Sequence, residues 1–399
     1  MTYSAVNLLG RTRAVAMTNA TFDVVVVGAG IFGSCTAYHC QKLGLKTLLL
    51  EKYGLGHHNG SSHGLSRIIR YAHTNTEYVP LVSESYRQIE QMEAEIGEKL
   101  WRKTGLLWIS SASTIASLSE ILKSHNIGHE TISGIQIADR YPQFSFDDQW
   151  SGLVDPMGGV IYANKWLHTF QKEFVNLGGE IREHEEVLEY HERSNGVVVV
   201  KSSKTEHYAK KAIFTVGPWI KKLFPGLPAK VQPQSIAVCY WKSARAEDSH
   251  LLESENFPVF IAVDDMSGQF HVYGLPSIDH PGSVKICSHN GQPFDGDKHP
   301  EEISQEFVDG PRVFIKDHVP ILEAEQPTHV DRCKYTVSED SHYVIGPFPG
   351  SKNVLVGGCG SGSGFKVAPC IGMVLAEMAA GKQVSIDISF FSFDRFPKK

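Results

Sequence analysis

The stretch Phe22-Asp23-Val24-Val25-Val26-Val27-Gly28-Ala29-Gly30-Ile31-Phe32-Gly33 decides the reading of this chain. A β-branched apolar run breaks into Gly-x-Gly-x-x-Gly and then into a helical pattern that lasts to about residue 43. Gly28 permits a tight turn, Gly30 lets backbone approach a pyrophosphate, and Gly33 lets the helix pack closely on the strand. The helix N-terminus adds free N–H groups and a positive dipole end. Further along, Lys46-Thr47-Leu48-Leu49-Leu50-Glu51 reads as a second strand ending in an acid. Glu51 is placed to accept from ribose hydroxyls, which favours FAD or NAD over NADP.

A chain of 399 residues is long for one core and points to two domains. Hydrophobic residues at 42% and charged residues at 21% are those of an ordinary soluble enzyme. The net charge of −6 gives no reason to expect nucleic acid or a membrane surface as partner. No apolar run approaches the ~18 residues that a membrane helix needs. The seven cysteines (Cys35, Cys40, Cys239, Cys287, Cys333, Cys359, Cys370) are scattered, odd in number and without a CxxC pair. That pattern predicts a reduced, intracellular protein with neither a disulfide framework nor a metal site. Residues 1–20 carry Arg11, Arg13 and several Ser and Thr, with no acid and no secretory apolar core. They read as a disordered tail rather than a targeting segment.

Helical spacing recurs from Tyr78 to Ile96, from Lys165 to Leu177 and from Val367 to Ala380. Strands are expected over Trp101 to Ser110, over Val197 to Lys201, over Lys211 to Val216 and over 353–358. Residues 55–66 form a polar, glycine-rich loop. Residues 230–290 are rich in β-formers broken by Gly and Pro and read as a mostly antiparallel sheet. The expected fold is α/β with two domains. A discontinuous nucleotide-binding domain takes 21–82, 151–222 and 325–399, after the 1–20 tail. A β-rich substrate domain takes 83–150 and 223–324.

Four motifs together carry a resemblance. They are Gly28-x-Gly30-x-x-Gly33 with Glu51, Gly60-Ser-Ser-His-Gly-x-Ser66-Arg67-Ile-Ile-Arg70, Cys333-x-Tyr335-Thr336, and Gly362-x-Gly364-Phe365-Lys366. The chain resembles the monomeric sarcosine oxidase family over roughly residues 22–397, and within it the eukaryotic peroxisomal sarcosine oxidase and L-pipecolate oxidase branch. Val238-Cys239-Tyr240-Trp241 and Tyr273-Gly274-Leu275-Pro276 match that branch as well.

The resemblance implies a D-amino-acid-oxidase-like architecture with FAD on a cysteine thioether at Cys333. Read alone, Cys333 is as well explained as a small buried hydrophobe. Arg70 and Lys366 stand at the family's carboxylate clamp, where Arg supplies a bidentate fork and Lys a point charge. Read alone, Arg70 is a surface charge. Lys366 is harder to dismiss, because it opens an apolar helix. His63 and Arg67 match positions beside the flavin ring, where a cation favours the anionic reduced form. Lys285 matches the lysine that promotes attack by oxygen, although an edge-strand lysine is its plain alternative. Tyr273 and His289 match the substrate side, and Tyr335 an aromatic pocket for the amine. Cofactor contacts are implied at Gly28, Gly30, Gly33, Glu51, Ser66, Arg67, Cys333, Gly362, Gly364 and Lys366.

Gly360 and Ser363 stand where the family carries Phe and His, which loosens the pocket and leaves substrate size open. The expected activity is oxidation of a secondary amino acid such as sarcosine or L-pipecolate to an imine, with oxygen reduced to hydrogen peroxide. A dimethylglycine-type dehydrogenase, a D-amino-acid oxidase and a non-catalytic FAD-fold protein are the alternatives. The resemblance further implies a monomer and a peroxisomal address. No Ser-Lys-Leu-type tripeptide follows Phe396-Pro397 to support that address.

Overall fold

A computed structural model describes residues 20–295, 297 and 302–397. The expectations for Arg11, Arg13 and Met17 in the N-terminal tail, and for the last two lysines, lie outside the described residues.

The opening apolar run forms the Phe22–Val27 strand, in which five of the six residues are buried. Val24 to Val27 have no polar face to present to water, so the strand needs cover on both sides. It lies between two parallel partners, Thr47–Leu50 and Glu206–Phe214. The Val354–Gly358 strand extends the parallel set beside Glu206–Phe214, and Glu180–Arg182 closes it beside Thr47–Leu50. The helices Ile31–Lys42, Ala163–Asn176 and Ala368–Ala379 pack together over one face of this eight-stranded sheet. A Cβ on Gly372 would meet the backbone of Cys35 and Thr36 at 2.6–2.7 Å, so glycine is what lets the first and last of these helices cross so closely.

A second, nine-stranded sheet holds most of the β-rich segment and is mainly antiparallel. The Val231–Lys242 strand pairs with His329–Ser338 at ten consecutive register positions and with Ser283–Ser288 on its other side. The His271–His280 strand follows, then Val259–Val263. The amphipathic Glu306–His318 helix covers the far face, burying Val308, Phe314 and Ile315 against Phe260 and Phe270.

Two details differ from the sequence reading. The single strand expected over Trp101 to Ser110 is two, Trp101–Lys103 and Leu106–Ser110, separated at Gly105 with φ +72°. The first piece joins a small sheet with Ser66–Ile69 and Gly159–Tyr162, and the second joins the large sheet. In addition, Ser151–Asp155 and His329–Ser338 pair into the nine-stranded sheet, although boundaries at 151 and 325 would place them with the nucleotide. Sheet membership is decided by the hydrogen-bonding partner, which lies far away in sequence.

Burial sets an acid limit on the fold. His39, on the first helix, is 9% exposed and bonds Gln88 at 2.8 Å. Burial lowers its pKa from 6.5 to about 4, against the opposing effect of the Gln88 bond. A base held neutral in the fold binds a proton more readily when unfolded, so stability is intact above about pH 6.5 and falls as the pH drops toward about 4. The expected slope is about 1.4 kcal/mol per pH unit for such a group. Urea unfolding between pH 4 and 7 checks this, and His39→Gln is expected to make the acid limb shallower.

Candidate active site

The glycine turn is built by close approach. Gly28 has φ +96°, and a Cβ there would lie 2.8 Å from the Thr215 carbonyl oxygen. Thr215 itself donates through Oγ1 to the carbonyls of Val27 and Gly28, both at 3.0 Å, tying the turn to the end of a neighbouring parallel strand. A Cβ on Gly33 would collide with the Gly28 carbonyl, so the third glycine is what lets the helix start here. Gly30 is the N-cap and has no side chain to close the helix end. Ser62, from the 55–66 loop, reaches that end and accepts from the Ile31 N–H at 3.0 Å.

Glu51 stands at the tip of the second strand, 6% exposed. Its carboxylate accepts from the N–H groups of Ala29 at 2.8 Å and Tyr53 at 3.0 Å, and faces His57 Nε2 at 3.2 Å. Burial pushes the carboxyl up, but the bonds from His57, Tyr53 and Ala29 outweigh this and hold it below the usual carboxylate range. An ionised acceptor is thus fixed beside the turn.

The next stretch of the site joins the 55–66 loop to the large sheet. Arg67 donates to the carbonyls of Ser66 at 2.7 Å, Ser61 at 3.1 Å and His63 at 2.6 Å. Its Nη2 is 3.7 Å from Cys333 Sγ. Burial alone would lower the Arg67 pKa, but the neighbouring Cys333, Tyr273 and Tyr335 raise it overall. His63 is wedged between two backbone carbonyls, Gly60 at 2.9 Å and Arg332 at 2.7 Å. Burial still moves it toward the neutral form. Cys359 also borders the site, yet burial pushes its thiol up to about 12. Cys333 is the thiol with a guanidinium at hand.

Beyond Cys333 lies a cationic chamber. Arg70 is 8% exposed, with its guanidinium over the Trp108 ring at 4.8 Å and one amino group on the Ala72 carbonyl. Lys366 is 2% exposed and donates to the Ser363 carbonyl at 2.9 Å. Burial lowers Arg70 to about 10. It lowers Lys366 well below its usual range, with Arg70 adding to the effect. Among the described residues neither cation forms an ion pair. Three histidines stand around them. Burial first, then charge repulsion, lowers His289 to about 3 and His271 to about 4, and holds His73 well below its ordinary value. His289 and His271 stack at 4.4 Å, and His289 lies 5.8 Å from the Tyr335 ring. The hydroxyls of Tyr335 and Tyr273 are 3.3 Å apart. Gly362, with φ +76°, makes room here: a Cβ would fall 2.7–2.8 Å from Tyr335 and His289. A Cβ on Gly364 would press on Phe32 at 3.0 Å.

Lys285, expected as a buried cation at the flavin, lines the cavity, forms a buried ion pair with Asp279 and donates to Ser66 Oγ at 2.6 Å. Tyr240 donates to the same Asp279 carboxylate at 3.0 Å. Ser66, expected at the cofactor, lines the same cavity. The sequence reading missed Asp279 because only the hairpin between His271–His280 and Ser283–Ser288 folds it back over Lys285. It also missed Thr215, His73, His271 and Trp108, which carry no local motif and arrive through tertiary contact, and it gave no role to Ser62 within its motif.

These pieces line one continuous cavity of about 640 Å³, from Gly28 and Glu51 at one end to Arg70 and Lys366 at the other. Ser61 Oγ, Thr336 Oγ1 and His73 Nδ1 on its wall are buried without a hydrogen-bond partner. Such orphaned groups cost about 1–3 kcal/mol each unless a ligand meets them. An elongated ligand with a ribose, a pyrophosphate and a flat ring system satisfies this donor set, so the residues present fit FAD.

The comparisons with known proteins agree with the geometry. The family model described as FAD dependent oxidoreductase matches residues 23–378. The chain is 55% identical to a putative sarcosine oxidase of Caenorhabditis elegans, covering 94% of this chain and 98% of the relative. It is 35% identical to the peroxisomal sarcosine oxidase of Mus musculus, covering 94% and 96%. Among solved structures, NikD, an unusual amino acid oxidase essential for nikkomycin biosynthesis, superposes with a TM-score of 0.79 at 21% identity, over 94% of this chain and 98% of that one. With the strand–glycine–helix turn, the acidic strand end and the two-sheet architecture in place, the chain belongs to the FAD-dependent oxidoreductase family, in its sarcosine oxidase branch.

Proposed function

We propose that this protein oxidises a small secondary α-amino acid, of the sarcosine or L-pipecolate kind, using FAD linked through Cys333. The carrying observation is the pair Arg70 and Lys366, buried side by side with no ion-pair partner among the described residues. Two desolvated cations are costly unless an anion joins them. A substrate carboxylate supplies that anion, with the Arg70 fork binding both oxygens and Lys366 adding a point charge. Trp108 under the Arg70 guanidinium holds the fork's plane.

The amine then lies among Tyr273, Tyr335 and His289. Desolvation there favours its neutral form, which is the form that can be oxidised. The low pKa values of His289 and His271 keep both imidazoles uncharged at neutral pH, so they do not repel the amine. Bound between the glycine turn and Cys333, FAD supplies two-electron oxidation of a carbon–nitrogen bond with oxygen as final acceptor, giving an imine and hydrogen peroxide. Gly28, Gly30, Gly33 and Glu51 would hold its dinucleotide end, and His63 and Arg67 would stand at its ring. The ion pair with Asp279 holds Lys285 toward Ser66, so the oxygen-activating cation is a positioned one. Similarity to the mouse peroxisomal enzyme supports a peroxisomal address, and a monomer is part of the same reading.

A peroxide-coupled assay with sarcosine, L-pipecolate, proline and N-methyl amino acids tests the activity. Peroxide from one or more of these is expected. Turnover seen only with an artificial electron acceptor would make the protein a dehydrogenase, and silence across the panel with flavin bound would remove the substrate class. Arg70→Ala leaves Lys366 alone on the carboxylate, and losing one partner of a desolvated charge pair costs about 2–5 kcal/mol. A fall in kcat/KM of that size is expected, with flavin content unchanged. Lys285→Met keeps side-chain length and deletes the charge. Stopped-flow is expected to show the oxygen half-reaction slowed by roughly two to three orders of magnitude, as for loss of a preorganised electrostatic group, and substrate oxidation changed far less. Finally, flavin should stay with the acid-precipitated parent protein and on the Cys333 peptide. From Cys333→Ser it should wash out, because the glycine turn and Glu51 bind reversibly.

A further inference from the structure

The geometry points to a binding site for a divalent transition metal of the zinc class, formed by His280, His329 and Asp331. Their donor atoms all lie within 4.8 Å of one another. His329 and Asp331 sit two apart on the His329–Ser338 strand, so the alternation of a strand turns both to one face. His280 comes from the end of the His271–His280 strand, beyond Val231–Lys242 and Ser283–Ser288, and its ring lies 4.7 Å from that of His329. His280 lies far from the other two in the chain, so the three form no familiar metal-binding spacing, and the sequence reading expected no metal.

The site has a floor and a gap. Tyr240 pairs in register with His329 on one side and with Lys285 on the other. Its ring lies under both imidazoles, 4.3 Å from His280 and 5.8 Å from His329. One Asp331 oxygen bonds His329 Nε2 at 2.7 Å. The other is 3.9 Å from His280 Nε2, beyond hydrogen-bond range. Two ligands that each bind one zinc at about 2.0–2.1 Å stand only slightly nearer than this, so small side-chain rotations close the shell. Two imidazoles and one carboxylate suit zinc, copper or nickel, whereas calcium and magnesium prefer oxygen alone. All three side chains are partly exposed, which leaves coordination positions for water.

Occupancy would staple the hairpin that carries Asp279 and Lys285 to the strand that carries Cys333, across Tyr240. Tyr240 bonds Asp279, the immediate neighbour of His280, so the metal would brace the ion pair at the cavity wall that Asp331 also lines.

Zinc chloride titrated calorimetrically into the holoenzyme, in buffer cleared of metal, tests the site. One equivalent is expected to bind at the site, with a rise in Tm, and magnesium is expected to have no effect. His280→Ala and His329→Ala should each weaken that equivalent about a hundredfold or more, since even outer-shell losses cost 10–100-fold. Asp331→Asn, which keeps the side-chain shape, serves where an alanine variant fails to fold. Absence of stoichiometric zinc uptake by the parent overturns the proposal. So does uptake that the folded variants leave unchanged, which would mean that His329 and Asp331 are a hydrogen-bonded surface pair.

Discussion

The ten-position register between Val231–Lys242 and His329–Ser338 is the constraint on which the site depends. A strand repeats every two residues, so a slip of one position would turn every side chain to the opposite face. In the observed register Asp331, Cys333 and Tyr335 share one face and reach the cavity in turn. The same register sets Tyr240 opposite His329, and the next strand sets Lys285 opposite Tyr240. Ile236, Val238 and Cys287 bury against Cys333 and lock that arrangement in apolar packing. The thiol and the aromatic wall are thus consequences of one strand pairing, and the place of Lys285 follows from the next.

Arg67, Lys285, Arg70 and Lys366 border the cavity, and the fold treats them differently. Arg67 is surrounded by backbone carbonyls and lies against the Cys333 sulfur. Lys285 has an acid of its own. Arg70 and Lys366 have none among the described residues; burial lowers the proton affinity of both, and Arg70 lowers that of Lys366 further. In a desolvated setting an unpaired cation is costly, which supports the proposal that Arg70 and Lys366 meet a ligand's anion. The neutral histidines around Arg70 and Lys366 complete the pattern, because further positive charge there would raise the cost of an empty chamber.

Much of this was legible in the residues. The Phe22–Val27 strand, the turn at Gly28 to Gly33 and the acid at Glu51 follow from local chemistry: β-branched side chains favour strands, and only glycine tolerates the φ of Gly28 and the closeness of Gly33. The Tyr78–Ile96 and Ala368–Ala379 helices follow from apolar spacing. The resemblance brought His63, Arg67, Arg70, Tyr273, His289, Cys333, Tyr335 and Lys366 to notice, and they border one cavity.

Other features came only with the third dimension. The division of 101–110 between two sheets, and the membership of Ser151–Asp155 and His329–Ser338 in the larger one, depend on distant partners. The Asp279 partner of Lys285, the Thr215 tie on the glycine turn and the grouping of His280 with His329 and Asp331 depend on them too. A motif is visible in sequence when backbone conformation forces neighbouring residues to be of a given type, as at the glycine turn. A charge partner carries no such mark, because its identity is set by which strands lie side by side, and that is a property of the folded chain.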